Sequence, residues 1–218
     1  MTDESLFREV DEEVRQDQAK EIWTRYGNLI SAVGIGVVLA VAALKGWQYM
    51  QVKQAESAGK VFFEAAKLAA DGKTEDAVSA FKAVNHAGFG LLAKVREAAA
   101  LAKGGKADDA VKLYDAIAAD TAADAAIRDL ARVRAGYLLA DKLKPDELLA
   151  RLGSLDVETG PWRHAAREIF GLSAWRTGDY SMADRYMNAI VADPESSAPA
   201  RQRASRMVQL IAPLLPQK

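Results

Sequence analysis

Two histidines, His86 and His164, are the first candidates for acid–base chemistry or metal ligation. They stand 78 positions apart by their numbers, and neither belongs to an HExxH or similar ligand spacing. Each reads as a surface or loop residue. Carboxylates cluster at Asp11-Glu12-Glu13 and at Asp108-Asp109. At the exposed start of a helix such runs favour the macrodipole and solvent rather than proton transfer. The chain has no cysteine, which removes thiolate nucleophiles, disulfides and Cys-ligated metals. No GxSxG, P-loop or GxGxxG occurs. The expectation is therefore a protein that is not an enzyme, with no catalytic residue, no metal and no cofactor.

What the chain offers instead is apolar and aromatic side chains on helical spacing. Phe62, Leu92, Val95, Leu130, Val133, Tyr137, Leu172 and Trp175 fall on what would be the inward positions of successive helical hairpins. Two readings stand side by side. These residues are ordinary packing between repeats, or covered by a second copy, or else they line a groove that receives an apolar or aromatic segment of a protein partner. On the groove reading, Tyr137→Ala and Trp175→Ala weaken partner capture without unfolding the domain.

The elements that must carry these residues begin with an uncharged run. Between Arg25 and Lys45 lie nineteen residues, YGNLISAVGIGVVLAVAAL, without a charge. As a helix they extend roughly 28 Å, close to the ~30 Å hydrocarbon thickness of a bilayer. Nine of them are Leu, Ile or Val, each favouring insertion by about 0.3 to 0.6 kcal/mol, roughly −3 to −5 kcal/mol together. Trp23 and Tyr26 stand at one end and Trp47 and Tyr49 at the other, where amphipathic rings prefer the headgroup level.

A buried core helix of this length without charge is unusual in a small domain, and an interfacial helix needs a polar face that the run lacks. A cleaved signal peptide could end near Ala40-Val41-Ala42, but the preceding segment is long and acidic. The expected layout is an N-terminal cytoplasmic amphipathic tail over residues 1–25, a single transmembrane helix over 26–46 and a repeat domain over 47–218. In the tail, Leu6, Phe7, Val10 and Val14 follow helical spacing among charges.

Charge is unevenly spread. Residues 1–25 hold four basic and eight acidic side chains, and the part from Lys45 onward holds 25 basic and 22 acidic, for a whole-chain net of −1. Neither value points to nucleic acid. Basic residues flanking the run are nearly balanced, Arg8, Arg15, Lys20 and Arg25 before it against Lys45, Lys53 and Lys60 after. A short tail with several of them favours the N-terminus inside.

From Trp47 onward the chain is alanine-rich, with apolar residues at three-and-four spacing and breaks at Gly72, Gly104-Gly105, Lys144-Pro145, Gly160-Pro161, Gly178 and Asp193-Pro194. No period-two strand pattern appears. Gly72, Gly105 and Gly178 are each followed five residues later by alanine, and a degenerate copy containing Pro145 puts Leu148 at the equivalent place. The markers Ala77, Ala110, Leu148 and Ala183 are 33, 38 and 35 residues apart, periods that fit tetratricopeptide-like helix-turn-helix repeats.

Positions not used in that alignment agree with it. Twelve before each marker stand Ala65, Ala98, Gly136 and Gly171; nine before, Leu68, Leu101, Leu139 and Ala174; four after, Phe81, Tyr114, Leu152 and Met187; seven after, Val84, Ile117, Leu155 and Ile190. Small residues fit a close helix crossing and large ones a core. The fold expected is all-α, an N-terminal transmembrane helix followed by a tetratricopeptide-like helical-hairpin solenoid. Residues 198–215 read as a capping helix with Met207, Leu210, Ile211 and Leu214 on its packed side and Arg201, Arg203 and Arg206 as a solvated face.

The opening FREVDEEVRQDQAKEIWTRYGN from Phe7 to Asn28, the single apolar run from Leu29 to Leu44 and the repeat-bearing remainder together resemble the YfgM-type ancillary subunit of the SecYEG translocon, in its alphaproteobacterial form. The resemblance covers the full length. Its specific part is the N-terminal segment with the span, since the repeats alone match many scaffolds, and the third copy departs at Pro145 and Leu148. The resemblance implies a single-pass bacterial inner-membrane protein with a cytoplasmic N-terminus and a periplasmic repeat domain. It implies a non-enzymatic adaptor or chaperone-like scaffold whose protein partners are the Sec translocon, periplasmic chaperones and emerging secretory clients, and it carries over no catalytic residue.

A second class with the same anchor is a structural organiser of an envelope-assembly or division complex with stable partners. A homo-oligomer stays open. A cleaved, freely soluble periplasmic enzyme is disfavoured by the missing catalytic constellation.

Overall fold

The computed structural model describes the backbone of residues 3–216 and the side chains of residues 20, 21 and 23–216. The described residues form nine α-helices and two short 3-10 turns, with no strand among them. The helices are α1 (Asp3–Ala70), α2 (Thr74–Lys82), α3 (Gly90–Lys103), α4 (Ala107–Ala119), α5 (Ala125–Leu139), α6 (Pro145–Leu152), α7 (Arg163–Arg176), α8 (Tyr180–Ala192) and α9 (Ala198–Ile211). The chain divides into two compact units, Met1–Gln54 and Ala55–Lys218.

In the first unit, α1 passes through Gly46 without a break. One segment of it is long and apolar enough to cross a membrane, and none of that segment is buried against protein. Leu29, Ile30, Val33, Val38, Leu39 and Leu44 are all exposed, with Trp23, Tyr26, Trp47 and Tyr49 exposed around them. At Gly34, Gly36 and Gly46 a Cβ would meet no neighbouring atom within 4 Å. From Asp3 onward the expected amphipathic tail falls within α1, but residues 1–2 and the side chains of Leu6, Phe7, Val10 and Val14 lie outside the described residues.

In the second unit, residues 55–70 of α1 pair with α2, α3 with α4, α5 with α6 and α7 with α8, and α9 packs on α8. Three of the four hairpins close the same way. Gly72, Gly105 and Gly178 have φ of 80°, 79° and 82°, the left-handed conformation in which a Cβ is penalised and glycine is not. That turn lets the next residue's N–H reach back to the helix it leaves. Lys73 N bonds Leu68 O at 2.9 Å, Lys106 N bonds Leu101 O at 2.9 Å and Asp179 N bonds Ala174 O at 2.9 Å. These are Schellman caps.

The third hairpin lacks that glycine and closes differently. Lys142 N and Leu143 N both donate to Leu139 O, and Pro145 starts α6 with its φ already helical. The Lys144 N–H donates to the Glu147 carboxylate at 2.8 Å.

The repeat register coincides with the core. Ala77, Ala110, Leu148 and Ala183 are all fully buried, as are Ala65 and Ala98. Phe81, Tyr114, Leu152 and Met187 form the large buried set, and Val84, Ile117, Leu155 and Ile190 lie beside them. Gly136 is small because a Cβ there would stand 2.5 Å from Leu152 Cδ1 and 3.0 Å from Ile169 Cδ1. At Gly171 a Cβ would stand 2.7 Å from Met187 Cε. Each core spans neighbouring hairpins: Ala98, Tyr114 and Ala131 come from α3, α4 and α5 but form one cluster. No hairpin buries its apolar face alone, which is the logic of a stacked repeat.

The last helix differs in part from its sequence reading. Ile211 is buried and Met207 packs against the terminal core, but Leu210 and Leu214 are exposed. Of the three arginines expected on a solvated face, Arg201 is turned inward, its NH2 2.8 Å from Ser196 O. Arg203 pairs with Glu168, and Arg206 is exposed.

Candidate partner-binding face

The eight apolar candidates lie on the first helix of each hairpin, and the structure distributes them over several depths. Phe62 packs into the first core, its ring 5.6 Å from that of Phe81 and 5.7 Å from that of Phe89. Val95 is half-buried against the α3–α5 core, and Leu130 is half-buried on α5. Val133 lies in the core between α5 and α7. Tyr137 packs against that same core, and Leu172 bridges it to the terminal one. Leu92 and Trp175 remain open, 45% and 40% exposed. The candidate face is thus made of two exposed anchors, one on α3 and one on α7, over a floor of half-buried side chains.

A polar ladder that the sequence pattern does not disclose crosses this floor. Tyr137 donates its hydroxyl to Glu168 Oε2 at 2.8 Å, and Arg203 grips the same carboxylate with Nε at 2.6 Å and NH2 at 2.8 Å. Glu168 is only 8% exposed, so its charge requires this pairing. Three first helices, α5, α7 and α9, are tied by one carboxylate. Burial, together with the negative charge of Glu168, pushes the Tyr137 hydroxyl well above its ordinary pKa. Tyr137 is therefore a neutral donor that holds Glu168.

A second network closes the opposite ends of α7 and α8. Arg163 donates Nε to Asp193 Oδ2 at 2.8 Å, NH2 to Glu195 at 2.7 Å and NH1 to Gly160 O at 3.1 Å. His164 Nε2 lies 2.9 Å from Asp193 Oδ2, and Arg167 bonds Asp156 at 2.7 Å. Hydrogen bonds from Arg163 and His164 hold the Asp193 carboxyl well below the usual range. This His–Asp pair sits in a cage of arginine contacts that staples the start of α7 to the end of α8. His86 is engaged locally, its Nδ1 accepting from Gly88 N at 3.0 Å.

A cleft of about 590 Å³ opens beside α2, α3 and the turn after α4, with Lys82, Lys94, Glu97 and Asp120 on its wall. Burial raises the Glu97 pKa against the pull of Lys82 and Lys94. Among the described residues no cluster of His, Cys, Asp or Glu has the arrangement to hold a metal ion.

Glu168 and Arg203 are the residues that helical spacing alone misses, because they meet across 35 positions. One signal was available: Glu168 is the sole acidic residue on α7, beside three arginines. A family model described as a tetratricopeptide repeat-like domain matches residues 20–209 of the chain. Neither the comparison with curated proteins nor that with solved structures returns a match.

Proposed function

Because the chain belongs to the tetratricopeptide repeat-like domain family, we propose that it is a membrane-tethered, non-enzymatic scaffold that captures protein partners on the first-helix face of its hairpins. The observation that carries this reading is the exposed pair Leu92 and Trp175 above a half-buried apolar floor. Exposed large apolar side chains are where a repeat stack can bury surface against a partner. The tether rests on the apolar segment of α1, which has no protein packed around it and the length of a bilayer crossing. A helix bare on every side in water would be covered by lipid in a membrane.

The finer reading places the span in a bacterial inner membrane, the N-terminus in the cytoplasm and the repeat unit in the periplasm, beside the Sec translocon. Its support is the N-terminal segment Phe7–Asn28 followed by the apolar run. On that reading the partners are translocon subunits, periplasmic chaperones or emerging secretory chains.

In-cell photocrosslinking tests both levels. A photoreactive residue is placed at Leu92 or Trp175, and at exposed Lys112 on α4 as a control, and the products are identified by mass spectrometry. The reading expects adducts from the first two positions and not from the third, with translocon subunits, chaperones or varied secretory chains among them. A single stoichiometric assembly protein would replace the translocon reading with an organiser role. Adducts from Lys112 alone would remove the proposed face.

A further inference from the structure

Charge divides between the two helices of each hairpin. The first helices α3, α5, α7 and α9 together carry twelve Lys or Arg against three Asp or Glu. The second helices α2, α4, α6 and α8 carry four against eight. Residues 55–70 of α1 are balanced, with Lys60 and Lys67 against Glu56 and Glu64. The basic bias therefore begins with α3. Several of these cations are consumed inside the fold: Arg163 and Arg167 hold Asp193 and Asp156, and Arg132 pairs with Asp129.

Arg96 on α3 and Arg134 on α5 are not consumed. Both are exposed, and neither has a carboxylate or hydrogen-bond partner among the described residues. Their helices share one core, in which Val95 of α3 packs with Ala131 and Ala135 of α5 around Tyr114. Each has an apolar residue four positions earlier on the same helix face, Leu92 before Arg96 and Leu130 before Arg134. Leu172 and Arg176 repeat the spacing on α7, but there the guanidinium is held by the carbonyls of Ala140 at 3.1 Å and Leu143 at 2.6 Å.

We infer that the face of α3 and α5 around Arg96 and Arg134 takes an acidic polypeptide segment in which Asp or Glu alternates with apolar side chains. The pairing of one apolar and one cationic side chain per helix asks for that alternation in the occupant. Two unpaired guanidiniums with no internal anion supply the complementary charge. This names the partner chemistry of the face proposed above and rests on that reading.

The test uses the full chain in nanodiscs of neutral lipid, with binding followed by fluorescence anisotropy. The probes are a short labelled peptide alternating Glu with Leu and Phe, and its counterpart with Lys for each Glu. The acidic peptide is expected to bind and the basic one not to, with affinity falling as salt rises. R96E/R134E should weaken acidic-peptide binding by about tenfold or more. K112E on the second-helix face should leave it unchanged, and helical circular dichroism should match wild type in every variant.

Equal binding of both peptides, or indifference to R96E/R134E, overturns the inference. So does a concentration-dependent self-association abolished by R96E/R134E, which makes a second copy the occupant, or the same loss on anionic vesicles with no peptide binding, which makes it a lipid surface. If neither peptide binds while Leu92 and Trp175 still crosslink other proteins in cells, the scaffold reading stands and the acidic chemistry falls.

Discussion

Asp193 shows how one carboxylate can organise an end of the stack. It receives Arg163 and His164 from α7 while sitting at the exit of α8, so its charge joins two helices and the turn into α9. Its pKa is lowered in the folded protein relative to the ordinary 3.8. A depressed carboxylate binds protons more weakly folded than unfolded, so its stabilisation is complete above its unfolded pKa and is lost as pH falls through it towards the folded value. Thermal melts of the full chain are therefore expected to lose stability below about pH 4. Asp193→Asn should melt lower than wild type at neutral pH and converge with it in acid. Glu97 has the opposite sign, its raised pKa favouring the fold as acid is added, so the variant comparison is what isolates Asp193. Parallel wild-type and variant curves would contradict the assignment.

At the scale of the helices, much of the arrangement is written locally. A glycine at the end of a first helix and an alanine five residues on mark the hairpins, and the structure places the three glycines at positive φ and the alanines in the core. The degenerate third copy is also legible, since Pro145 supplies a helix start where no glycine supplies a stop. Helical spacing gives a face but not what covers it, and this is why the eight candidate positions range from core Val133 to exposed Trp175. It likewise says nothing of contacts between helices far apart in sequence, so the Tyr137–Glu168–Arg203 ladder stayed hidden.

The close crossing of α5 with α6 and α7 gives the element-scale prediction. In Gly136→Ala the added methyl would stand 2.5 Å from Leu152 Cδ1 and 3.0 Å from Ile169 Cδ1, both on buried side chains that must shift to admit it. Overpacking of this kind costs about 1–3 kcal/mol, set against a gain of up to ~1 kcal/mol in helix propensity. Chemical denaturation should show Gly136→Ala destabilised and Gly34→Ala, where a Cβ meets nothing, unchanged in the repeat transition. A Gly136→Ala protein as stable as wild type would mean that the crossing is looser than described.

Over the whole molecule, a net charge of −1 conceals two separations. One lies along the chain, between an acidic tail and a slightly basic remainder; the other lies across the repeats, between basic first helices and acidic second ones. The first is read directly from the sequence. The second becomes visible only when the hairpin register says which helix is which. The apolar part of α1 is long and apolar enough to cross a membrane, and on the first helices Arg96 and Arg134 have no carboxylate partner among the described residues.

The absence of cysteine makes the decisive measurement clean. Glu12→Cys in the tail and Ser181→Cys on exposed α8 are introduced singly, and intact cells are treated with a membrane-impermeant maleimide that crosses the outer envelope but not the inner membrane. The account predicts a chain that resists alkaline extraction from membranes, Ser181→Cys labelled in intact cells and Glu12→Cys labelled only after the inner membrane is opened. Equal labelling of both positions with recovery of the chain in the soluble fraction would contradict the tether, and the reversed pattern would contradict the orientation.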